Sequence, residues 1–205
     1  MDLGRELINL HVYPSPIVTE SRIFKEVATI RDTGLFDRLE IAGTWEPGLD
    51  SIEELMPKVL IRRWGRERSR AGVAAGLGKT VRFSKDVYSH YRTEPLAVVN
   101  CHSLSVLPLC WRLSRATGAR LIYDPHELET RVQGATGLRG LASRGLEAAL
   151  IGRVDHTFVV GKEIMGWYQH RYQLERIDAL YNLVASSELP IRRSGDYFQR
   201  RFGLP

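Results

Sequence analysis

The chain has 205 residues, 43% of them apolar and 26% charged, with a formal net charge of +5. That is the composition of an ordinary globular domain large enough for one sizeable core. No apolar stretch approaches the roughly 18 uncharged residues of a membrane span, and Met1-Asp2-Leu3-Gly4-Arg5-Glu6 lacks the basic-then-apolar pattern of a signal peptide, so a cytoplasmic location is expected.

Leu7 to Tyr13 reads as a first strand, and Ser21 to Thr33 as a helix with Ile23, Phe24, Val27 and Ile30 at helical spacing, stopped by Gly34. Arg38 to Thr44 is a second strand. Pro47 and Gly48 open a less regular region, in which Lys58 to Arg63 makes a short third strand. A helix over Ser84 to Tyr91 and a strand over Pro95 to Cys101 follow. Next come the helix Ser105 to Thr117, closed by Gly118, the strand Arg120 to Tyr123, the helix Leu138 to Arg153 and the strand His156 to Val160. The helix Glu163 to Tyr172, a strand around Ile177 to Tyr181, a polar linker and a short helix near Gly195 to Phe202 complete the chain. Strands alternating with helices of ten or more residues imply right-handed crossovers. The fold class is therefore α/β, a Rossmann-like parallel sheet with helices on both faces.

The familiar phosphate motifs are missing. Gly76-Leu77-Gly78-Lys79-Thr80 invites a P-loop, but the required earlier glycine falls on Val73, with Gly72 one residue too early. After the first strand, Tyr13-Pro14-Ser15-Pro16 stands where a dinucleotide fingerprint would lie, which argues against an oxidoreductase. No Cys-x-x-Cys occurs, and none of His11, His90, His102, His126, His156 and His170 is a helical i, i+4 partner of another, so neither a metal nor a cofactor is expected. Cys101 and Cys110 read as small core residues.

The basic run Arg62-Arg63-Trp64-Gly65-Arg66-Glu67-Arg68-Ser69-Arg70 carries no nucleic-acid signature. It suits the surface of an anionic membrane, at about 1 kcal/mol per basic residue, and equally a solvated loop or helix face.

In a parallel sheet, ligands bind beyond the carboxyl ends of the strands. Four such ends carry polar residues: Asn100, His102 and Ser103; then Asp124, His126 and Glu127; then Gly161 and Lys162; then Asn182. Singly, each has a plain structural reading, as a helix cap, a surface charge or a turn residue. Together they favour a site for a polar ligand.

Val99-Asn100-Cys101-His102-Ser103, Leu107-Pro108 and Gly118 to Leu128, with Tyr123-Asp124-Pro125-His126-Glu127 at its centre, resemble the amino-terminal domain of group 1 glycosyltransferases of GT-B architecture. Ser21-Arg22-Ile23-Phe24-Lys25-Glu26, Val154 to Val160, Trp167-Tyr168 with Tyr172, and Tyr181-Asn182 extend the similarity over most of the chain. It is weakest between Thr44 and Pro95. Two departures stand out. Pro14-Ser15-Pro16 replaces the glycine pair of many members near the donor diphosphate, and the chain ends at Pro205, where a second domain would begin.

The resemblance implies residues 1–190 as a Rossmann-like acceptor-side domain, and 191–205 as a linker and the start of a missing carboxyl-terminal domain that binds most of the donor. It implies transfer of a sugar from a nucleotide diphosphate sugar to a saccharide or lipid-linked acceptor in surface polysaccharide or glycolipid synthesis, with this half alone inactive. His126 is then the catalytic-site residue facing sugar and acceptor, and His102, Asp124, Glu127, Lys162 and Asn182 line the cleft. Glu127 or Asp124 orients the imidazole, and the residues do not single out a base. The alternatives are a non-catalytic binding or scaffold subunit that needs a separate donor-binding chain, and another sugar-nucleotide enzyme such as an epimerase.

Overall fold

The computed structural model describes residues 6–65, 73–130, 137–183 and 203. Eight strands, β1 (Ile8–Val12), β2 (Arg38–Thr44), β3 (Ile52–Met56), β4 (Val59–Trp64), β5 (Leu96–Cys101), β6 (Arg120–Tyr123), β7 (His156–Val159) and β8 (Ile177–Ala179), form one sheet in the order β3-β4-β2-β1-β5-β6-β7-β8. Five helices connect them: α1 (Ser21–Asp32), α2 (Val73–Tyr91), α3 (Leu107–Thr117), α4 (Gly137–Leu150) and α5 (Lys162–Tyr172). Every strand pair is parallel except β3 with β4. The expected α/β Rossmann-like architecture is the observed one.

The central strands form where apolar residues run without interruption. All five residues of β1 are buried, and β2 is buried from Leu39 to Gly43. Such runs suit a sheet covered on both faces. From β1 the chain steps to β2 on one side, whereas β5 to β8 are laid down on the other. Right-handed crossovers then place α1 on one face and α2 to α5 on the opposite face. The core divides accordingly. Ile23 and Val27 of α1 pack with Leu39, Ile41, Val59 and Ile61, while Phe83 and Val87 of α2 and Leu107, Cys110 and Leu113 of α3 pack with Ile8, Leu10, Val12, Val99 and Cys101. The direction of winding reverses between β1 and β5, which makes the crevice beyond their carboxyl ends the topological switch point where open α/β sheets bind ligands.

Three elements differ from the expectation. The hairpin β3–β4 adds an antiparallel edge strand to an otherwise parallel sheet. Its turn passes through Lys58 at φ +69, so no glycine marks it in the sequence. Helix α2 starts at Val73, eleven residues before the expected Ser84. Gly76 and Gly78 disfavour helix locally, yet both lie within α2, so Gly76-Leu77-Gly78-Lys79-Thr80 is helix and not a phosphate loop. The expected helix Leu138 to Arg153 divides into α4 and the 3-10 turn Ile151–Arg153. The expected helix near Gly195 to Phe202 lies outside the described residues, as does the 191–205 segment apart from Gly203.

Part of the basic run is engaged inside the fold. The buried carboxylate of Glu40 on β2 is met by Arg62 Nε at 2.6 Å, Arg38 Nε at 2.8 Å and the Tyr91 hydroxyl at 2.6 Å. Arg63 is buried, and its guanidinium donates to the carbonyls of Pro16, Ile17 and Asp50 at 2.6 to 3.0 Å and pairs with Glu53. Arg66, Arg68 and Arg70 fall outside the described residues.

Arg63 thereby clamps the loop after β1 against the sheet. In that loop Thr44 N donates to Ser15 O at 2.7 Å, Ile17 adopts φ +55, and a Cβ on Gly43 would lie 2.7 Å from Ser15 O and 2.4 Å from Ile17 Cγ1. No side chain fits there without moving backbone. Gly43→Ala is therefore expected to lower the unfolding free energy by about 1–3 kcal/mol, measured as a lower denaturant midpoint at unchanged m-value. An unaltered midpoint would mean that the loop is not held against β2.

Candidate functional site

The polar residues of the strand ends collect at the switch point. His102 follows β5, Asp124 and His126 follow β6, and β1 contributes His11 and, just beyond its end, Tyr13. Helix α1 supplies Arg22 and Glu26, one turn apart, on the flank that faces the crevice.

The anchor is Asp124, which is 2% exposed. Arg22 grips it with two parallel bonds, Nε to Oδ2 at 2.9 Å and Nη2 to Oδ1 at 2.5 Å, and its third nitrogen donates to the Leu180 carbonyl at 2.6 Å. His102 Nδ1 lies 3.2 Å from Asp124 Oδ2. Burial alone would raise the Asp124 carboxyl, but hydrogen bonds from His102 and Arg22 overcome it and hold the group below the usual carboxylate range. His102 Nδ1 thus faces the Asp124 carboxylate, and its Nε2 lies 2.9 Å from His11 Nδ1, one ring nitrogen donating to the other. The rings of His11 and His102 are nearly coplanar, at 11°, with centroids 5.1 Å apart. The two nitrogens therefore meet head-on. Burial, and next the neighbouring His102, push His11 well below the ordinary imidazole range. It stays neutral, with its Nε2 lacking a hydrogen-bond partner among the described residues.

His126 sits at the mouth of this chain. Its side chain is 25% exposed, its Nε2 lies 3.2 Å from His102 Nδ1, and its ring packs against Tyr13 with centroids 5.2 Å apart. Burial first, and His102 second, lower it to about 4. At neutral pH it is an uncharged imidazole with Nδ1 still available to a ligand.

The two loops are tied to each other and to the scaffold. Glu129 accepts from Leu104 N at 2.7 Å and from Ser103 Oγ at 3.1 Å, joining the loop after β6 to the one after β5. The next residue, Thr130, donates to Glu147, a fully buried carboxylate on α4 that also accepts from the hydroxyls of Tyr168 and Tyr172 on α5 at 2.6 and 2.8 Å.

Of the residues expected at the site, His102, Asp124 and His126 form one connected cluster. Glu127 is exposed and makes no side-chain hydrogen bond to the histidines; Asp124, not Glu127, stands beside the imidazoles. Lys162 is exposed at the first position of α5, and no hydrogen bond or ion pair joins it to the cluster among the described residues. Asn182 lines a groove of about 430 Å³ on the α1 face of the sheet, with Asn9, Asn100, Val98, Ile122 and Phe158. His11, Arg22 and Glu26 were not expected. Arg22 and Glu26 did carry a signal: they share one face at i, i+4 on the helix that also bears buried Ile23 and Val27.

The loop after β1 offers no anion cradle. Ser15 Oγ donates to Glu20, and Thr19 N donates to the same carboxylate at 2.8 Å, so a negative side chain already occupies the amino-terminal end of α1.

No protein-family model and no curated protein sequence matches this chain. Solved structures do. Sucrose-phosphate synthase from Thermosynechococcus elongatus superimposes with a TM-score of 0.71 at 11% identity, over 98% of this chain and 53% of that one. Arabidopsis thaliana UGT89C1, complexed with UDP-L-rhamnose, gives 0.60 at 14% identity over 89% and 50%, and the lipopolysaccharide outer core galactosyltransferase WaaB in its apo form gives 0.56 at 12% over 91% and 50%. The chain thus has the Rossmann-like fold found in GT-B glycosyltransferases, and it spans about half the length of these proteins. No helix among the described residues is long and apolar enough to cross a membrane.

Glu26 gives the cluster a distinctive pH response. Burial first, and then Asp124, raise its carboxyl to about 9, so it is protonated in the folded protein at neutral pH but ionised once unfolded. Above pH 4.5 the folded state then holds the extra proton, and stability from this group falls as pH rises towards 9. His126 acts oppositely, but only between about 4 and 6.5. Between pH 6.5 and 9 the Glu26 slope should dominate the cluster, at up to about 1.4 kcal/mol per pH unit. Glu26→Gln, which keeps the shape and removes the titration, is expected to flatten the decline of the thermal midpoint over that interval. Identical pH profiles for both proteins would contradict the assignment.

Proposed function

We propose that this chain is the acceptor-side domain of a GT-B glycosyltransferase that moves a sugar from a nucleotide diphosphate sugar to a saccharide or lipid-linked acceptor, in surface polysaccharide or glycolipid synthesis on the cytoplasmic side of the membrane. The observation that carries this reading is the neutral, partly exposed His126 at the switch-point crevice, backed by His102 and the Arg22–Asp124 pair. The fold likeness to UDP-sugar-bound UGT89C1 and to the galactosyltransferase WaaB supports it. In this reading the other half of the enzyme holds most of the donor, which agrees with Glu20 occupying the end of α1 where a diphosphate would otherwise be welcome.

Glycosyl transfer needs an acceptor hydroxyl held in line with the anomeric carbon while the diphosphate departs. A general base works best with a pKa near the working pH. At about 4, His126 is a poor proton acceptor at neutrality, so its role is positioning. Its Nδ1 bonds a sugar hydroxyl, and the buried network behind fixes the ring. A misplacement of about 1 Å at such a contact costs about 10²-fold in rate. His126→Ala in the two-domain enzyme is therefore expected to lower turnover by about 10²-fold, with the thermal midpoint within a few degrees of the parent. Unchanged turnover would remove His126 from the reacting centre. Calorimetry of the 205-residue chain with nucleotide diphosphate sugars should show binding much weaker than that of the two-domain enzyme. Tight binding by the short chain would instead make this domain a complete donor site.

A further inference from the structure

We infer that His102 Nδ1, His126 Nε2 and Asp124 Oδ2 form a binding site for a zinc-class divalent cation at the mouth of the crevice. The three atoms form a triangle with edges of 3.2 Å (His102 to His126), 3.2 Å (His102 to Asp124) and 3.9 Å (His126 to Asp124). A four-coordinate zinc ion with bonds of about 2.0–2.1 Å sets its ligand atoms about 3.3 Å apart. Two edges already match, and a sub-ångström shift of His126 closes the third.

The bonding inside the triangle points the same way. Two acceptors, the carboxylate oxygen of Asp124 and the bare nitrogen of His126, compete for the single proton on His102 Nδ1. A cation in place of that proton satisfies all three groups at once, with His102 carrying its proton on Nε2 and donating it to His11 Nδ1. Two imidazoles and a carboxylate are the ligand set of zinc and its neighbours, not of magnesium or calcium.

The outer ring of partners that orients metal ligands is in place. Asp124 is gripped by Arg22 through both oxygens, and the other nitrogen of His102 is bonded to His11. In metal sites the same arrangement fixes ring orientation and ligand basicity. His126, partly exposed, gives the ion a route in from solvent and leaves a fourth position open on the crevice side.

A second candidate group of ligand atoms, on His11, Glu26 and His102, fails on geometry. His11 Nδ1 and His102 Nε2 meet head-on at 2.9 Å in nearly coplanar rings, which leaves no room for an ion between them. That contact is a hydrogen bond. The site also does not depend on the transferase reading, because an ion on Nε2 of His126 leaves Nδ1 free for a sugar.

The test is calorimetric titration of the untagged 205-residue chain with zinc chloride, alongside visible absorption with cobalt(II) chloride. The expected result is one equivalent bound with a dissociation constant of ~1 μM or tighter, the visible bands of tetrahedral cobalt, and a rise in the thermal midpoint with zinc. His126→Gln, at a partly exposed position, should weaken binding at least tenfold and abolish the thermal shift. His156→Ala, which removes an outlying histidine paired with Asp178, should change neither. Absence of a stoichiometric site, or zinc binding unaltered by His126→Gln, would overturn the proposal.

Discussion

The site depends on one buried ion pair, Arg22 with Asp124. A bidentate guanidinium–carboxylate contact is among the strongest polar contacts a protein makes, and here it joins groups 102 residues apart in sequence. It fastens α1 to the end of β6 and, through the Leu180 carbonyl, to the end of β8. Removing one member leaves a charge buried without its partner, at about 3–5 kcal/mol. The same pair sets the state of everything beyond it. Because Asp124 stays ionised, His102 presents its Nδ1 proton to it. Because His102 is so oriented, its Nε2 meets His11 and its Nδ1 meets His126 as well as Asp124. The positions of three imidazoles thus follow from one carboxylate.

The surrounding architecture explains why this chemistry is assembled where it is. Reversal of winding between β1 and β5 opens a crevice that no crossover helix fills, and the chain places polar side chains on each of the loops bordering it. Glu129 and Glu147 then act as struts. One couples the His102 and His126 loops to each other, and the other couples the following turn to α4 and α5. Rigid support behind a partly exposed imidazole suits the proposed role of holding a sugar hydroxyl in one place, and the proposed coordination site equally well.

Much of this was legible in the sequence, and the parts that were not share a cause. Uninterrupted apolar runs such as Leu121-Ile122-Tyr123 disclosed the buried strands, and Asp124-Pro125-His126 disclosed where β6 stops. The partners of those residues were hidden because tertiary contacts select them. Arg22 and Glu26 look like the solvated flank of an amphipathic helix until the fold brings Asp124 against them. His11, in the middle of an apolar strand, looks like core. Glu127, expected to orient the imidazole, faces solvent, whereas Glu129 two residues on reaches the amide of Leu104. A search for histidines one helical turn apart passes over His102 and His126, which two different strand ends bring together. The edge strand β3 and the first eleven residues of α2 were missed for local reasons, a turn built on Lys58 and two glycines inside a helix.

An ionised Asp124, clamped by Arg22, anchors a chain of histidines whose two outer members, His11 and His126, are neutral at neutral pH. Nitrogen-detected NMR of the imidazole side chains across pH 4 to 8 tests it most directly. His126 is expected to stay neutral down to about pH 4, His11 to titrate well below an ordinary imidazole, and His102 to donate from Nδ1 to Asp124 at neutral pH. Titration of His126 near 6.5, with the solvent-like shifts of a free imidazole, would contradict it.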